Sequence, residues 1–169
     1  MSGVTDMSFL FDHCDFRGDI SEWDVSHVID MQNLFNKCFF DGDISCWDTS
    51  SVEEMNYMFS GSFFRGDLSM WNVSKVINMM GMFLNSFFNG DISRWDMRAV
   101  CDCGMMFFGG KFNQEVKGWK IDRGCIYNDM FDNSVYDKEL PYGLDKKKCY
   151  GRNYDRVMGE YMKKVIDSI

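Results

Sequence analysis

Asp19, Asp43, Asp67 and Asp91 follow one another at a constant interval of 24 residues, each directly after a glycine: Gly18, Gly42, Gly66 and Gly90. If the copies pair as parallel strands, these carboxylates form a row with a spacing of about 5 Å. A row of that kind invites calcium. The sequence favours a smaller role, an Asx turn in which each aspartate accepts a backbone N–H beside its glycine. A second row, Asp24, Asp48, Asn72 and Asp96, contains an asparagine, which caps a turn as well as aspartate does. Neither row has the alternating acidic loop closed by a bidentate glutamate that marks an EF-hand.

The seven cysteines are the other residues with chemistry to offer. Cys14 and Cys38 lie one interval apart, as do Cys101 and Cys125, so each pair could approach disulfide geometry. With no export signal ahead of them, packed free thiols are the expected state. Cys103 falls where Met55 and Met79 stand in earlier copies and reads as core filler. With only His13 and His27 in the chain and no Cys-x-x-Cys, a structural zinc site is not expected. Serines recur as turn and cap residues in every copy, and no nucleophile meets a base. His13 and His27 occupy unmatched positions and read as surface side chains. The expectation is a chain with no catalytic, metal or cofactor residues, and so not an enzyme.

The interval itself is the strongest feature. Trp23, Trp47, Trp71, Trp95 and Trp119 are separated by 24 residues each, without insertion or deletion. Seven places before them stand Phe16, Phe40, Phe64, Phe88 and Phe112. Five places after come Val28, Val52, Val76 and Val100, then Met31, Met55 and Met79, and the unit closes on Phe35, Phe59, Phe83, Phe107 and Phe131. Val4, Met7, Leu10 and Phe11 fit the second half of the same frame, so residues 4–15 form a half-repeat. The copy at Trp119 is degenerate, with Gln114, Glu115 and Lys117 in place of Gly, Asp and Ser, and a last echo survives as Tyr136, Glu139 and Leu140.

Within a copy, Val28, Met31, Leu34 and Phe35 follow the spacing of one helical face, which predicts a helix of about two turns capped by Asp24 or Ser26. Ser50 and Glu53 have the spacing of a capping box. The Gly-Asp-Ile-Ser half predicts a turn and a brief strand, with a bend near Ser21 or Glu22 so that Ile20 and Trp23 can share a face. A fixed period with one strand and one helix predicts an α/β repeat solenoid, a right-handed coil of the leucine-rich-repeat kind, over residues 1–140. Residues 141–169 are expected to form a C-terminal capping helix, because Tyr154, Val157, Met158, Tyr161, Met162, Val165, Ile166 and Ile169 make one wide apolar face.

Composition agrees with a folded repeat. Of 169 residues 46% are apolar and 17% aromatic, with 16 Phe and 15 Met standing where most domains use Leu and Ala. The net charge of -8 disfavours a nucleic-acid partner, and Lys146, Lys147 and Lys148 are too few to carry one. No stretch is long and apolar enough to span a membrane. If Met1 is the native start, the N-terminus, which lacks a signal sequence, implies an intracellular or virion-associated protein. A removed leader would place it at the cell surface.

The frame Phe-x-Gly-Asp-Ile-Ser-x-Trp-Asp-Val-Ser-x-Val-x-x-Met-x-x-Met-Phe resembles the BspA-like leucine-rich repeats, also found in mycoplasma surface lipoproteins. The resemblance covers residues 4 to about 140 and implies the leucine-rich-repeat fold and, for bacterial members, adhesion. The expected function is a non-enzymatic protein-interaction module whose partner is another protein or a further copy of the chain. The alternatives are a structural component of a viral particle or other assembly, and a surface adhesin. The place just before each Trp varies while its neighbours stay fixed, so Glu22, Cys46, Met70, Arg94 and Gly118 are the expected solvent-facing stripe, with Glu22, Met70 and Arg94 as candidate partner contacts.

Overall fold

Each 24-residue copy folds as one coil that lies on the next, and the computed structural model describes residues 3–151. The register between coils is one full period. Parallel bridges join Asp6 to Asp30, Asp30 to Glu54, Glu54 to Asn78, Asn78 to Asp102 and Asp102 to Ile126. From each bridge onward, every second amide donates to the next coil. Met31, Asn33, Phe35 and Lys37 give their N–H groups to the carbonyls of Glu54, Asn56, Met58 and Ser60 at 2.7–3.0 Å, and the same four bonds recur one and two periods later.

The amides in between turn back on their own coil. Leu34 donates to Met31, Asn36 to Asn33 and Cys38 to Phe35, all at 3.2 Å. These are tight turns, and two of them place a left-handed residue third, Asn33 at φ 54° and Lys37 at φ 49°. Equivalent places are left-handed in later coils, at Tyr57, Gly61, Gly81, Asn85, Met105 and Gly109.

This arrangement overturns the expected strand-plus-helix unit, and with it the α/β leucine-rich-repeat coil. An α-helix needs each N–H to reach the carbonyl four residues back, but here alternate N–H groups point out of the coil toward its neighbour. A left-handed residue every fourth position is also incompatible with a right-handed helix. No strand forms among the described residues either, because pairing is limited to single bridges before the chain turns. Among the described residues the one regular element is α1, Lys146–Tyr150, whose first turn is capped by the Asp145 side chain accepting from the Lys148 N–H at 3.0 Å. Of the capping helix expected over 141–169, α1 is the part described. The apolar face from Tyr154 to Ile169 lies outside the described residues.

The core is a bundle of side-chain columns running along the stack. Phe11, Phe35, Phe59, Phe83, Phe107 and Phe131 form one column, with ring centroids 5.4–5.7 Å apart and planes within 14° of parallel. Phe16, Phe40, Phe64, Phe88, Phe112 and Tyr136 form a second at 6.0–6.4 Å. The two columns touch within each coil, at 4.5 Å between Phe35 and Phe40. Offset stacking of this kind adds to burial, at about 0.5–1.5 kcal/mol per pair. After Phe16, Phe40, Phe64 and Phe88 the glycine two places on lies directly on the ring, and after Phe112 that place is Gln114. A Cβ at Gly42 would come within 2.7 Å of Phe40 Cε2, so the Phe-x-Gly pair is a packing unit.

The tryptophans make a third column and knit coils through their polar edge. Trp47, Trp71, Trp95 and Trp119 are buried, and each indole N–H donates to the carbonyl of Ile20, Ile44, Leu68 or Ile92 in the preceding coil at 3.0–3.1 Å. Ile20 and Trp23 share the core face because the chain turns at Ser21 and Glu22, where the Trp23 N–H reaches the Ile20 carbonyl at 3.1 Å. Beyond the fifth tryptophan, α1 takes the place of a coil. Asp129 and Phe131 donate to the carbonyls of Lys148 and Cys149, and Tyr150 lies against the Phe131 ring.

Candidate interaction surface

Two or three turns in most coils are fixed by acidic or amide side chains. Asp19, Asp43, Asp67 and Asp91 each accept the N–H of the serine two residues on, at 2.8–3.0 Å. Asp24, Asp48, Asn72 and Asp96 do the same for Ser26, Ser50, Ser74 and Arg98. A third row, Asp6, Asp30, Asn78 and Asp102, sits at the bridges and serves Ser8, Gln32, Met80 and Gly104. Even in the degenerate copy Glu115 still accepts from the Lys117 N–H, at 3.0 Å. Hydrogen bonds from the serines hold the carboxyls of Asp19, Asp43 and Asp91 below the ordinary range. Each aspartate thus points its oxygen at its own backbone. Among the described residues no group of three or more His, Cys, Asp or Glu side chains is arranged to hold a metal ion.

The chain carries phenylalanine doublets at Phe39-Phe40, Phe63-Phe64 and Phe87-Phe88. Neighbouring side chains on extended backbone face opposite ways, so when the second ring of each doublet enters the core the first is sent to the surface. Phe39, Phe63 and Phe87 are accordingly exposed, at 46%, 42% and 37%. They stack on one another with centroids 4.9 and 5.0 Å apart, which leaves their edges to solvent. Backbone bonds to the preceding coil pin the row: Phe39 N–H to the Cys14 carbonyl at 3.4 Å and Phe87 N–H to the Ser62 carbonyl at 3.3 Å.

Arg17 and Arg65 flank this row, each guanidinium lying over a ring of the following coil, Arg17 5.5 Å from the Phe39 centroid and Arg65 5.4 Å from that of Phe87. The row continues along the same frame into Asp15 at one end and into exposed Lys111 and Val135 at the other. The surface is therefore apolar at its three central rings, and its rim alternates Arg17, paired with Asp15 at 2.9 Å, exposed Asp41 and Arg65, on a chain whose net charge is -8. Sequence reading overlooked these rings because the recurring Phe at the core position masked its partner. The doublet was the available signal.

Glu22, Cys46, Met70, Arg94 and Gly118, the variable stripe, are all exposed, Met70 at 76%. They stand one per coil, beside the tryptophans. His13 is exposed with its Nδ1 2.7 Å from Asp12, and His27 is exposed. Of the two cysteine pairs read from the period, Cys14 and Cys38 lie side by side as free thiols, whereas the pair of Cys101 with Cys125 is replaced by another. Cys101 is exposed, and it is Cys103 whose sulfur lies 3.5 Å from that of Cys125, both buried. Among the described residues no helix is long and apolar enough to cross a membrane.

A chain of stacked, indel-free copies is a repeat protein, and its repeats carry a family signature. The chain belongs to the family described as Mycoplasma protein of unknown function, DUF285, whose model matches residues 1–86 and again residues 40–141. Comparison with curated proteins and with solved structures gives no match.

Proposed function

We propose that the chain is a non-enzymatic interaction module that binds another protein along the exposed row Phe39, Phe63 and Phe87. The observation that carries this reading is the row itself. Three large apolar side chains are held at a 5 Å pitch by the stack and rimmed by Arg17 and Arg65, at a place where burial would have been the cheaper arrangement. The suited partner is a protein segment with apolar side chains facing the ring edges and carboxylates facing Arg17, Arg65 and Lys111. Aromatic and arginine side chains dominate binding energy at such surfaces. The Phe-x-Gly-Asp-Ile-Ser-x-Trp frame supports placing these repeats with the BspA-like type, now with coils built from turns.

The test compares two triple variants of the full chain against a purified partner first captured with the parent. Phe39→Ser, Phe63→Ser, Phe87→Ser is expected to weaken binding at least about a hundredfold while still folding cooperatively at a lowered melting temperature, since truncating several central anchors removes a few kcal/mol of binding. Glu22→Ala, Met70→Ala, Arg94→Ala is expected to bind nearly as the parent does. The reverse result would move the binding surface to the stripe beside the tryptophans.

A further inference from the structure

We propose that Cys103 and Cys125 are a built-in oxidation site, joined into a disulfide across two coils when the chain meets a low-molecular-weight disulfide. Their sulfurs are already in contact at 3.5 Å, and both side chains are shielded in the core. The backbones that carry them are paired. Asp102 and Ile126 form the last bridge of the stack, the Cys103 N–H donates to the Ile126 carbonyl at 2.8 Å, and the Ile126 N–H donates to the Cys101 carbonyl at 2.8 Å. Cys103 follows one bridged residue and Cys125 precedes the other, so the two stand diagonally across the bridge and their side chains close the gap to the 3.5 Å sulfur contact. The sulfurs must approach by about 1.5 Å to reach bonding distance, a shift within reach of side-chain rotation.

The two thiols are not equivalent. Cys103 is fully covered, whereas Cys125 keeps a small exposed fraction and sits in a loop whose neighbours Ile121, Asp122, Arg123 and Tyr127 line a cavity of 370 Å³. The two thiols share a hydrogen bond that holds the Cys125 thiol below its usual range, while that bond and burial push Cys103 up. Cys125 is therefore the attacking sulfur. Its thiolate opens the small disulfide, forming a mixed disulfide on Cys125 and releasing one small thiolate. Cys103, giving up its proton to solvent, then attacks the Cys125 sulfur and expels the second thiolate. Two protein thiols and one small disulfide become one protein disulfide and two small thiols, so electrons and protons balance. Cys149, buried in α1, and the exposed Cys101 are bystanders.

The experiment incubates the folded full chain with oxidised glutathione, blocks remaining thiols with an alkylating agent, digests with trypsin without reduction and identifies linked peptides by mass spectrometry. The expected result is a peptide holding Cys101 and Cys103 joined to the one holding Cys125, with two of the seven thiols lost and the intact mass lower by two hydrogen atoms. The Cys101→Ser variant should keep the link, and Cys103→Ser should stop at glutathione on Cys125. A link through Cys149, a link that disappears with Cys101→Ser, or seven thiols still open to alkylation after denaturation would each overturn the proposal.

Discussion

At the scale of single residues, the tryptophans show how one side chain can serve both the core and the register. Trp71 is 4% exposed, stacks on Trp47 with centroids 6.3 Å apart, and donates its indole N–H to the Ile44 carbonyl at 3.0 Å. Removing the ring leaves a large void between two fixed neighbours. Trp71→Ala should therefore destabilise the chain by about 3–5 kcal/mol. Trp71→Phe keeps most of the ring and leaves the Ile44 carbonyl its bond from the Trp47 N–H at 3.2 Å, so it should lose less than the alanine variant, with the lost indole bond itself worth about 0.5–1.5 kcal/mol. Denaturant unfolding of the three proteins checks the order, and a parent-like alanine variant would mean that the column is not part of the core. That the tryptophans, and the Phe columns beside them, belong inside was legible from sequence. A large apolar residue recurring at one place in every copy has the same environment in every copy, whatever backbone delivers it there.

At the scale of elements the backbone was not legible, for a definite reason. Val28, Met31, Leu34 and Phe35 are all buried, as a helical face would have them. A run of tight turns repeating every few residues sends side chains inward at nearly the same intervals as a helix, so the apolar pattern does not separate the two. The distinguishing residues were Asn33, Gly61, Gly81, Asn85 and Gly109, whose types tolerate the left-handed backbone that turns require and helices forbid. The Asx turns carry a prediction of their own. Carboxyls whose folded values are lowered, among them Asp19, Asp43 and Asp91 by the following serines and Asp96 to about 2 chiefly by the Arg98 side chain, release protons more readily in the folded chain. Their contribution is present above the ordinary value near 3.8 and is lost as pH falls through the folded value. Glu54, raised chiefly by burial, works in the opposite sense but is outnumbered. The melting temperature should hold between pH 7 and 5 and fall steadily from about pH 4 to pH 2. Asp43→Asn with Asp91→Asn should keep the turns, as Asn72 does for Ser74 at 3.1 Å, and flatten that fall. An equally steep fall in the double variant would show that the turn carboxyls are not responsible.

At the scale of the whole molecule, one period sets everything else: 24-residue coils in register place Phe39 over Phe63 over Phe87, bring Cys103 to Cys125 through the Asp102–Ile126 bridge, and let α1 close the described end against Phe131. The period was visible in the sequence, whereas the exposed aromatic row was hidden behind the core Phe of each doublet. All of these placements depend on alternate amides bonding from coil to coil instead of along a helix. Scalar couplings across hydrogen bonds in the isotope-labelled chain read the acceptor of each amide directly. The account predicts that the Phe59 nitrogen couples to the Met82 carbonyl carbon and the Tyr57 nitrogen to that of Met80, matching N···O distances of 2.9 Å in both. Coupling of the Phe59 nitrogen to the Met55 carbonyl carbon, four residues back, would contradict it and restore a helix to every coil.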